Sequence, residues 1–330
     1  MSERDPAGAV DRLADLGFAA GWSLVRALPE WVADPAFRVA ADAAFRRRGP
    51  AVIQLARNLH RVLGPRSDPE LLAATVRAGM RSYARYWRET FRLPAMDLAA
   101  VTEQVDAATI GAEHIERAQR EGRGIVLTVP HAGNWDLAGL WVTRSFGRLT
   151  TVVERLRPES LYDKFVTYRE SLGMEILPLT GGAPPSAALR ARLTAGGIIA
   201  LVGDRDMSAN GIPVTFFDEP ARFPAGPAML AALTDSYLCP TDLSFSADGW
   251  VQHIHPPLTL AGARLAEQVR SGAQQIATTF ERAIGAHPAD WHMLQPFWPA
   301  DFPAGHPAAA PIGPIRAATP KPATQNTAAR

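Results

Sequence analysis

From residue 124 onward, short apolar segments alternate with segments of helical periodicity, and this alternation restricts the fold more than any other feature. The apolar segments are bounded by glycine or proline and span 124–130, 149–154, 174–179 and 197–203. The helical segments between them span 135–145, 158–172 and 185–195. Buried strands that alternate with helices form mostly parallel sheets with helices on their faces. The sequence therefore predicts an α/β fold with a mostly parallel central sheet flanked by helices.

The remaining segments complete this architecture. Further strands are predicted at 214–217, 237–246 and 250–255, with helices near 225–234 and over 261–285. The first third of the chain has helical periodicity at 8–28, 36–46, 50–63, 69–91 and 97–120. Such a run of helices before the first strand predicts an N-terminal helical layer.

The first helical segment, 8–28, allows two interpretations. It carries Trp22, Leu24 and Val25 near its end, and Pro29 terminates the pattern. The segment can lie in a membrane interface, or it can pack on the protein core. No apolar run reaches the ~18–20 residues that a membrane-spanning helix requires, and no signal peptide is recognisable.

Composition excludes several other classes of protein. The chain has 330 residues, 47% of them hydrophobic, and a single cysteine, Cys239, so disulfide scaffolds and cysteine-built zinc sites are excluded. Residues 301–330 are rich in proline and alanine, and we expect them to be disordered because they cannot bury a core.

The net charge of +1 hides a local excess of arginine. Residues 36–92 contain twelve arginines and four acidic residues, interleaved with aromatic side chains. Such a region can bind nucleic acid, an anionic membrane or an anionic substrate, or it can be a solvated helical face. The chain has no nucleic-acid-binding motif, so no nucleic-acid partner is predicted. We expect Arg46, Arg47 and Arg48 in particular to favour binding to anionic lipid.

The segment VPHAGNWDLAG, residues 129–139, carries the strongest indication of chemistry. His131 follows a predicted buried strand, and Asp136 lies five residues later in the next predicted helix. Five residues of regular helix turn about 500°, so the two side chains can meet only if His131 precedes the helix. A histidine with a carboxylate partner is a general base. The alternative is a capping histidine with a solvated Asp136.

A second polar group follows the strand at 197–203, where Asp204, Arg205 and Asp206 are consecutive. If the two strands are neighbours, Asp204 reaches the same edge of the sheet as His131 and can support the imidazole, while Arg205 can hold a phosphate. Otherwise this is an acidic turn. Glu154 and Arg169 can form an ion pair that walls the same site.

The segment 211–226 is apolar and interrupted by prolines. It predicts either a groove wall for an apolar chain or a simple hairpin, followed by a helix start that can receive an anion.

Cys239 is expected in the core. His253 and His255 alternate on one strand with no acidic residue nearby in sequence, so no metal site is predicted, although a metal-binding pair there is an alternative.

The blocks HAGNWDLAG, GDRDMSANGIPVTFF and FPAG together resemble the lysophospholipid and lipid A acyltransferase superfamily. DWHMLQ at 290–295 and the Asp at position 136, where the lipid A enzymes have Glu, make the chain more similar to the phosphatidylinositol mannoside acyltransferases of actinobacteria. The membrane-spanning N-terminal helix usual in the lipid A enzymes has no counterpart. The resemblance covers roughly residues 8–298. It divides the chain into an N-terminal helix at 1–35, which is a candidate membrane anchor, an acyltransferase domain at 36–300 and the tail at 301–330.

The resemblance implies transfer of a palmitoyl group from acyl-CoA, a co-substrate rather than a bound cofactor, to a mannose hydroxyl of a phosphatidylinositol mannoside. It implies a peripheral enzyme at the cytoplasmic face of the plasma membrane. His131 is then the base and Asp136 its partner, with Asp204 as a further acid and no covalent acyl-enzyme. Glu154 and Arg169 are implied as residues that bind substrate.

Further roles follow from that chemistry. The oxyanion requires N–H donors, for which Gly133, Asn134 and Trp135 are candidates. Phe216, Phe217 and Phe223 are candidates for the wall of the lipid groove, and Arg205 and Arg222 for the phosphates of CoA. Two rival functions stay open: acylation of a lysophospholipid or glycerol phosphate, and lipid binding without catalysis.

Overall fold

The computed structural model describes residues 21–155, 159–206, 211–247, 249–310 and 312. The described helices are α1 (residues 21–27), α2 (Glu30–Arg47), α3 (Pro50–Leu63), α4 (Pro69–Arg92), α5 (Leu98–Ala107), α6 (Glu113–Arg120), α7 (Trp135–Ser145), α8 (Glu159–Ser171), α9 (Pro185–Thr194), α10 (Gly226–Thr234) and α11 (Leu265–Ala286). The strands are β1 (Thr109–Ile110), β2 (Ile125–Val129), β3 (Leu149–Val153), β4 (Met174–Pro178), β5 (Ile198–Val202), β6 (Ile212–Phe216), β7 (Glu219–Phe223), β8 (Tyr237–Phe245) and β9 (Trp250–Ile254).

Seven strands form one sheet in the order β1-β9-β8-β2-β5-β3-β4. β2, β3, β4, β5 and β8 are parallel, β9 is antiparallel to β8, and β1 is parallel to β9. All five residues of β2 are buried, as expected for a parallel strand covered on both faces. The predicted α/β fold with a mostly parallel sheet is confirmed.

Helices cover both faces of this sheet. One face packs against α5, α6, α7 and α8, and the other against α9, α10, α11 and the hairpin of β6 and β7. The helices α2, α3 and α4 share a separate core cluster that includes Leu55 and Leu59, both fully buried. The predicted N-terminal helical layer is therefore present. Among the described helices, none has the length and apolar character required to cross a bilayer.

The helix predicted over 97–120 is wrong. The segment breaks into α5, the short strand β1 and α6, because Thr109 and Ile110 pair with β9. Gly111 permits the break: its φ is +88°, and a Cβ atom there would lie 1.9 Å from the carbonyl oxygen of Ile254. The helical periodicity of this segment is overridden by tertiary strand pairing.

The structure describes the residues at both predicted domain boundaries. The predicted boundary at residue 35 lies inside α2, which begins at Glu30 and contains Pro35. At the other end, Asp301 receives two hydrogen bonds from Arg61, at 2.9 and 3.1 Å, so it is attached to the folded body. Most of the predicted disordered tail, 311 and 313–330, and the segment before residue 21 lie outside the described residues.

Candidate active site

His131 lies in the turn between β2 and α7. Gly133 makes this turn possible with a φ of +56°, and a Cβ atom at this position would lie 2.8 Å from the carbonyl carbon of Leu243. Asn134 is the N-cap of α7 and accepts a hydrogen bond from the N–H of Leu137 at 3.2 Å. The local sequence therefore places His131 before the helix, at the carboxyl edge of the sheet, as predicted.

The partner of His131 is Asp204. Its Oδ1 lies 2.6 Å from Nδ1 of His131, and its Oδ2 accepts the backbone N–H of His131 at 2.9 Å. The two residues meet because β2 and β5 are adjacent and in register, with Val129 opposite Val202. This confirms the expectation that the two strands are neighbours and that their ends share one edge.

Asp204 is completely buried, yet it remains ionised. Burial by itself would raise the pKa of Asp204, but His131 and the hydrogen bonds to the carboxylate outweigh burial and hold this pKa below its usual range. One of those hydrogen bonds comes from Trp291, whose Nε1 donates to Oδ2 at 3.0 Å. A carboxylate can only accept, so Nδ1 of His131 carries the proton and Nε2 is left with a lone pair. The imidazole is 30% exposed, so this nitrogen is accessible to a substrate.

Asp136, unlike Asp204, is not hydrogen-bonded to the imidazole of His131. Its buried carboxylate accepts hydrogen bonds from Arg169 Nε at 2.7 Å, Tyr86 OH at 3.2 Å and Thr90 Oγ1 at 3.4 Å. Burial would lower the pKa of Arg169, but Asp136 raises it above its usual value, so the pair is ionic. The predicted direct partnership between His131 and Asp136 is wrong, and so is the alternative of a solvated Asp136.

Hydrogen bonds to the Glu89 side chain and to the backbone carbonyl of Asp290 hold the turn before α7 in place. Glu89 accepts hydrogen bonds from Asn134 Nδ2 at 2.9 Å and from Trp250 Nε1 at 2.8 Å. The N–H of Gly133 donates to the carbonyl oxygen of Asp290 at 3.1 Å. Gly133 is therefore not available as an oxyanion donor, which leaves the N–H groups of Asn134 and Trp135 as the candidates.

His292 also supports the site, a role that was not predicted from the sequence. The backbone N–H of His292 donates to the carbonyl oxygen of His131 at 2.7 Å, and Nε2 of its imidazole lies 2.9 Å from Ser82 Oγ. Because the Ser82 hydroxyl donates its proton to Asp290, it accepts the Nε2–H of His292. Burial and His131 lower the pKa of His292 to about 3, so this imidazole is neutral. The segment 290–292 therefore holds His131 and Asp204 in place.

An apolar cavity of about 100 Å³ lies beside this centre. The Asp136–Arg169 pair and Trp135 supply polar groups to its lining, and its other walls come from α7 and the strands β2, β3, β4, β5, β8 and β9. These apolar walls include Val129, Ala138, Gly139, Val142, Leu149, Val152, Ala200 and Val202.

The predicted groove wall of phenylalanines is wrong for two of its three residues. Phe216 and Phe223 are completely buried in the core and pack against each other with ring centroids 5.2 Å apart. They belong to the β6–β7 hairpin, whose turn residues Phe217 and Asp218 both have positive φ, as a two-residue hairpin of this hand requires. Phe217 is partly exposed. The hairpin interpretation of this segment is the correct one.

The remaining predicted substrate-binding residues are placed as follows. Glu154 is exposed just after β3, and the ion pair predicted between it and Arg169 is replaced by the pair between Arg169 and Asp136. Arg205 and Arg222 line one small cavity together with Asp206. Arg222 also donates to the carbonyl oxygen of Ala310 at 3.3 Å.

An open groove of about 1440 Å³ is lined by α2, α4, α5 and the turn between β8 and β9. Its lining includes Ser82, Glu89 and Asp290, which are bonded to His292 or to the turn after β2. The groove therefore lies next to the residues that hold the His131 turn in place. Arginines dominate its walls: Arg38, Arg77, Arg81, Arg85, Arg88 and Arg92. Several of them are neutralised by acids, since Asp42 accepts from both Arg77 and Arg81. Arg38 is exposed at the groove.

Comparison with known proteins agrees with the sequence blocks around His131. The family model described as bacterial lipid A biosynthesis acyltransferase matches residues 11–299. A phosphatidylinositol mannoside acyltransferase of Mycolicibacterium smegmatis is 49% identical over 305 residues, which are 92% of this chain and 96% of that protein. An enzyme of the same name from Mycobacterium tuberculosis is 46% identical over 303 residues, which are 91% of this chain and 93% of that protein. The protein is an O-acyltransferase, and it belongs to the bacterial lipid A biosynthesis acyltransferase family.

Proposed function

We propose that the protein transfers a long-chain acyl group, typically palmitoyl, from acyl-CoA to a mannose hydroxyl of a phosphatidylinositol mannoside. The observation that carries this proposal is the 2.6 Å contact between His131 Nδ1 and the buried Asp204, because it leaves His131 Nε2 free as a base beside an apolar cavity. The names of the curated relatives support the choice of acceptor.

Nε2 of His131 takes the proton of the acceptor hydroxyl as the hydroxyl oxygen attacks the thioester carbonyl. Asp204 stabilises the imidazolium that forms, as a buried carboxylate does in acyl-transfer triads. The tetrahedral intermediate collapses with cleavage of the carbon–sulfur bond, and the imidazolium returns its proton to the departing thiolate. The chemistry requires no covalent bond between the acyl group and the enzyme.

The developing oxyanion is stabilised by the first turn of α7. The N–H groups of Asn134 and Trp135 lie at the positive end of this helix dipole. Asp136 and Arg169 have a structural part in this arrangement, because their buried ion pair fixes the first turn of α7 against α8.

The apolar cavity between α7 and the sheet receives part of the acyl chain, since about 100 Å³ holds only a few methylenes. Its walls are mostly aliphatic and include Trp135, four residues from His131, so a chain held there lies near the base. Arg205 and Arg222 are assigned to the CoA phosphates, and Phe217 is the one predicted phenylalanine exposed enough to contact the donor.

The acceptor headgroup binds in the arginine-lined groove beside α2 and α4. A phosphoinositol mannoside combines a phosphate with many hydroxyls, and this groove combines exposed Arg38 with buried carboxylates such as Glu89. Ser82, Glu89 and Asp290 line this groove and are bonded to His292 or to the His131 turn, so we assign its inner end to the mannose that is acylated.

The enzyme acts as a peripheral protein at the cytoplasmic face of the plasma membrane. Trp31 is 78% and Val39 67% exposed on α2, and Arg46, Arg47 and Arg48 are exposed at the end of the same helix. Exposed apolar side chains next to a basic cluster are typical of surfaces that bind anionic lipid. Co-sedimentation with anionic liposomes, with the three arginines replaced by alanine, tests this contact.

The decisive experiment measures thiol release from palmitoyl-CoA by the full chain, with and without phosphatidylinositol mannoside. We expect release that depends on the acceptor and falls about 10²–10⁴-fold in His131→Ala, since the general base is lost. His60→Ala, which removes an exposed histidine on α3, is the matched control and should retain full activity.

Near-native transfer by a folded His131→Ala variant contradicts the assignment of the base. Release that requires a lysophospholipid or glycerol phosphate instead of the mannoside keeps the chemistry and replaces the acceptor. Bound lipid without any thiol release from the wild type contradicts catalysis altogether.

A further inference from the structure

Two histidines and an aspartate meet on one face of the strands β8 and β9, away from His131. His253 lies on β9 and His255 follows its last residue, so the two side chains, two positions apart in extended backbone, lie on the same face of the sheet. Asp242 on β8 is the direct cross-strand partner of His253. The antiparallel pairing brings this acid to the histidine pair from eleven residues upstream of His253.

The three side chains are close enough to share one ion. Nε2 of His255 lies 2.6 Å from Oδ2 of Asp242, and the centroids of the two imidazole rings are 4.0 Å apart. One ligand atom from each of the three residues can be chosen so that all lie within 4.8 Å of one another. A tetrahedral zinc site with bonds of about 2.1 Å requires ligand atoms about 3.4 Å apart, which small side-chain rotations reach from here.

One atom of the cluster lacks a partner. Oδ1 of Asp242 is shielded from solvent and accepts no hydrogen bond from the described part of the chain. A shielded carboxylate oxygen without a donor is unfavourable, and a bound cation satisfies it.

The chemistry of this donor set selects a class of ion. Two imidazoles and one carboxylate suit Zn²⁺ and related first-row divalent ions better than Mg²⁺ or Ca²⁺, which prefer oxygen ligands alone. Two imidazoles in such close contact also disfavour double protonation, and a neutral imidazole is the form that binds metal. About a quarter of the side chains of His255 and Asp242 is exposed, which leaves access for water as a fourth ligand.

We propose that Asp242, His253 and His255 form a binding site for a divalent transition-metal ion of the zinc class. The ion has a structural role: it joins β8 to β9, and β9 in turn holds the short edge strand β1 through the pairing of Ile110 with His253. The site lies on the sheet face opposite Thr241 and Ile254, which line the apolar cavity, so it is separate from the acyl-transfer centre.

The test uses the full chain after removal of bound metal with a chelator. Zn²⁺ is titrated in competition with a chromophoric chelator, and Co²⁺ is added separately to record its visible absorption. We expect one equivalent of Zn²⁺ per chain, a Co²⁺ spectrum with nitrogen and oxygen ligands, and a higher melting temperature in the presence of Zn²⁺. His255→Gln and Asp242→Asn, confirmed as folded by circular dichroism, should each weaken Zn²⁺ binding about 100-fold or more.

Two control variants separate this site from other histidines. His60→Ala removes an exposed histidine on α3, and His131→Ala removes the one next to Asp204; both should bind Zn²⁺ as the wild type does. Unchanged affinity in His255→Gln and Asp242→Asn, or binding lost in His131→Ala instead, overturns the proposal. So does a wild-type chain that binds no Zn²⁺. None of these outcomes bears on acyl transfer, because the readout is metal binding.

Discussion

The carboxylate of Asp204 lies 2.6 Å from Nδ1 of His131, although 73 positions separate the two residues in sequence. Asp136, only five positions from His131, is bound to Arg169 at 2.7 Å instead. The two carboxylates therefore have different tasks: Asp204 orients the base, and Asp136 fixes the helix that follows it. Asp204→Asn and Asp136→Ala separate these tasks, because loss of the group that orients the base lowers the rate, whereas loss of the group that fixes the helix lowers the stability.

Asp204→Asn should lower kcat about 10²–10⁴-fold with little change in fold. An amide lacks the charge that stabilises the imidazolium, and its N–H group favours the wrong tautomer of His131. Steady-state kinetics of acyl transfer measure this loss. Asp163→Asn, an exposed residue on α8, is the control and should keep the wild-type rate. A rate within threefold of wild type in Asp204→Asn would exclude the proposed orientation of the base.

Asp136→Ala should destabilise the protein by about 3–5 kcal/mol, because it leaves the Arg169 guanidinium buried without a counter-charge. Urea unfolding followed by circular dichroism measures this change. Asp163→Ala, which removes an exposed carboxylate on α8, should unfold within about 1 kcal/mol of wild type. If Asp136→Ala lost activity at unchanged stability, Asp136 would act directly in catalysis.

Trp291→Phe should lower kcat about tenfold and leave KM for the acyl donor unchanged. The variant keeps the ring but removes one hydrogen bond to the buried Asp204, worth about 1 kcal/mol. Trp298→Phe is a matched control, since its Nε1 donates to the carbonyl oxygen of Phe216 in the core and not to Asp204. Equal kinetic losses in the two variants would indicate a general packing defect.

Ala200→Leu should shift the enzyme from long to short acyl donors. Ala200 lines the apolar cavity on β5, so a larger side chain shortens the space for the chain end. Each methylene excluded from an apolar pocket costs about 1–3 kcal/mol, which predicts at least a tenfold fall in kcat/KM for palmitoyl-CoA relative to decanoyl-CoA. Ala195→Leu at the exposed end of α9 should leave the preference unchanged. An unaltered ratio in Ala200→Leu places the acyl chain elsewhere.

Glu175→Gln should reduce stability at pH 7 by about 1 kcal/mol, and the difference should disappear in acid. A hydrogen bond from Arg192 lowers the pKa of Glu175 from 4.5 to about 2. A lowered pKa contributes stability above the unfolded-state value, and this contribution is lost as the pH falls from 4.5 towards 2. Denaturant midpoints of the two proteins between pH 7 and pH 2.5 should therefore converge. A constant gap would show that the ion pair is not its source.

Local sequence determines much of this protein. The alternation of apolar and helical segments predicts the parallel strands β2 to β5, since periodicity reflects burial on one or both faces of an element. The turn at 130–134 is equally local: glycine permits a positive φ at position 133, and asparagine caps α7, so His131 has to precede the helix.

Only the tertiary structure decides which distant residues meet. Strand order brings Asp204 rather than Asp136 to His131, places Asp242 beside His253, and breaks the helical pattern at Gly111 by pairing β1 with β9. The same packing buries Phe216 and Phe223, which an apolar sequence cannot distinguish from groove residues. Periodicity carries information over a few residues, whereas strand order and hydrogen-bond partners depend on contacts between segments that are far apart in the chain.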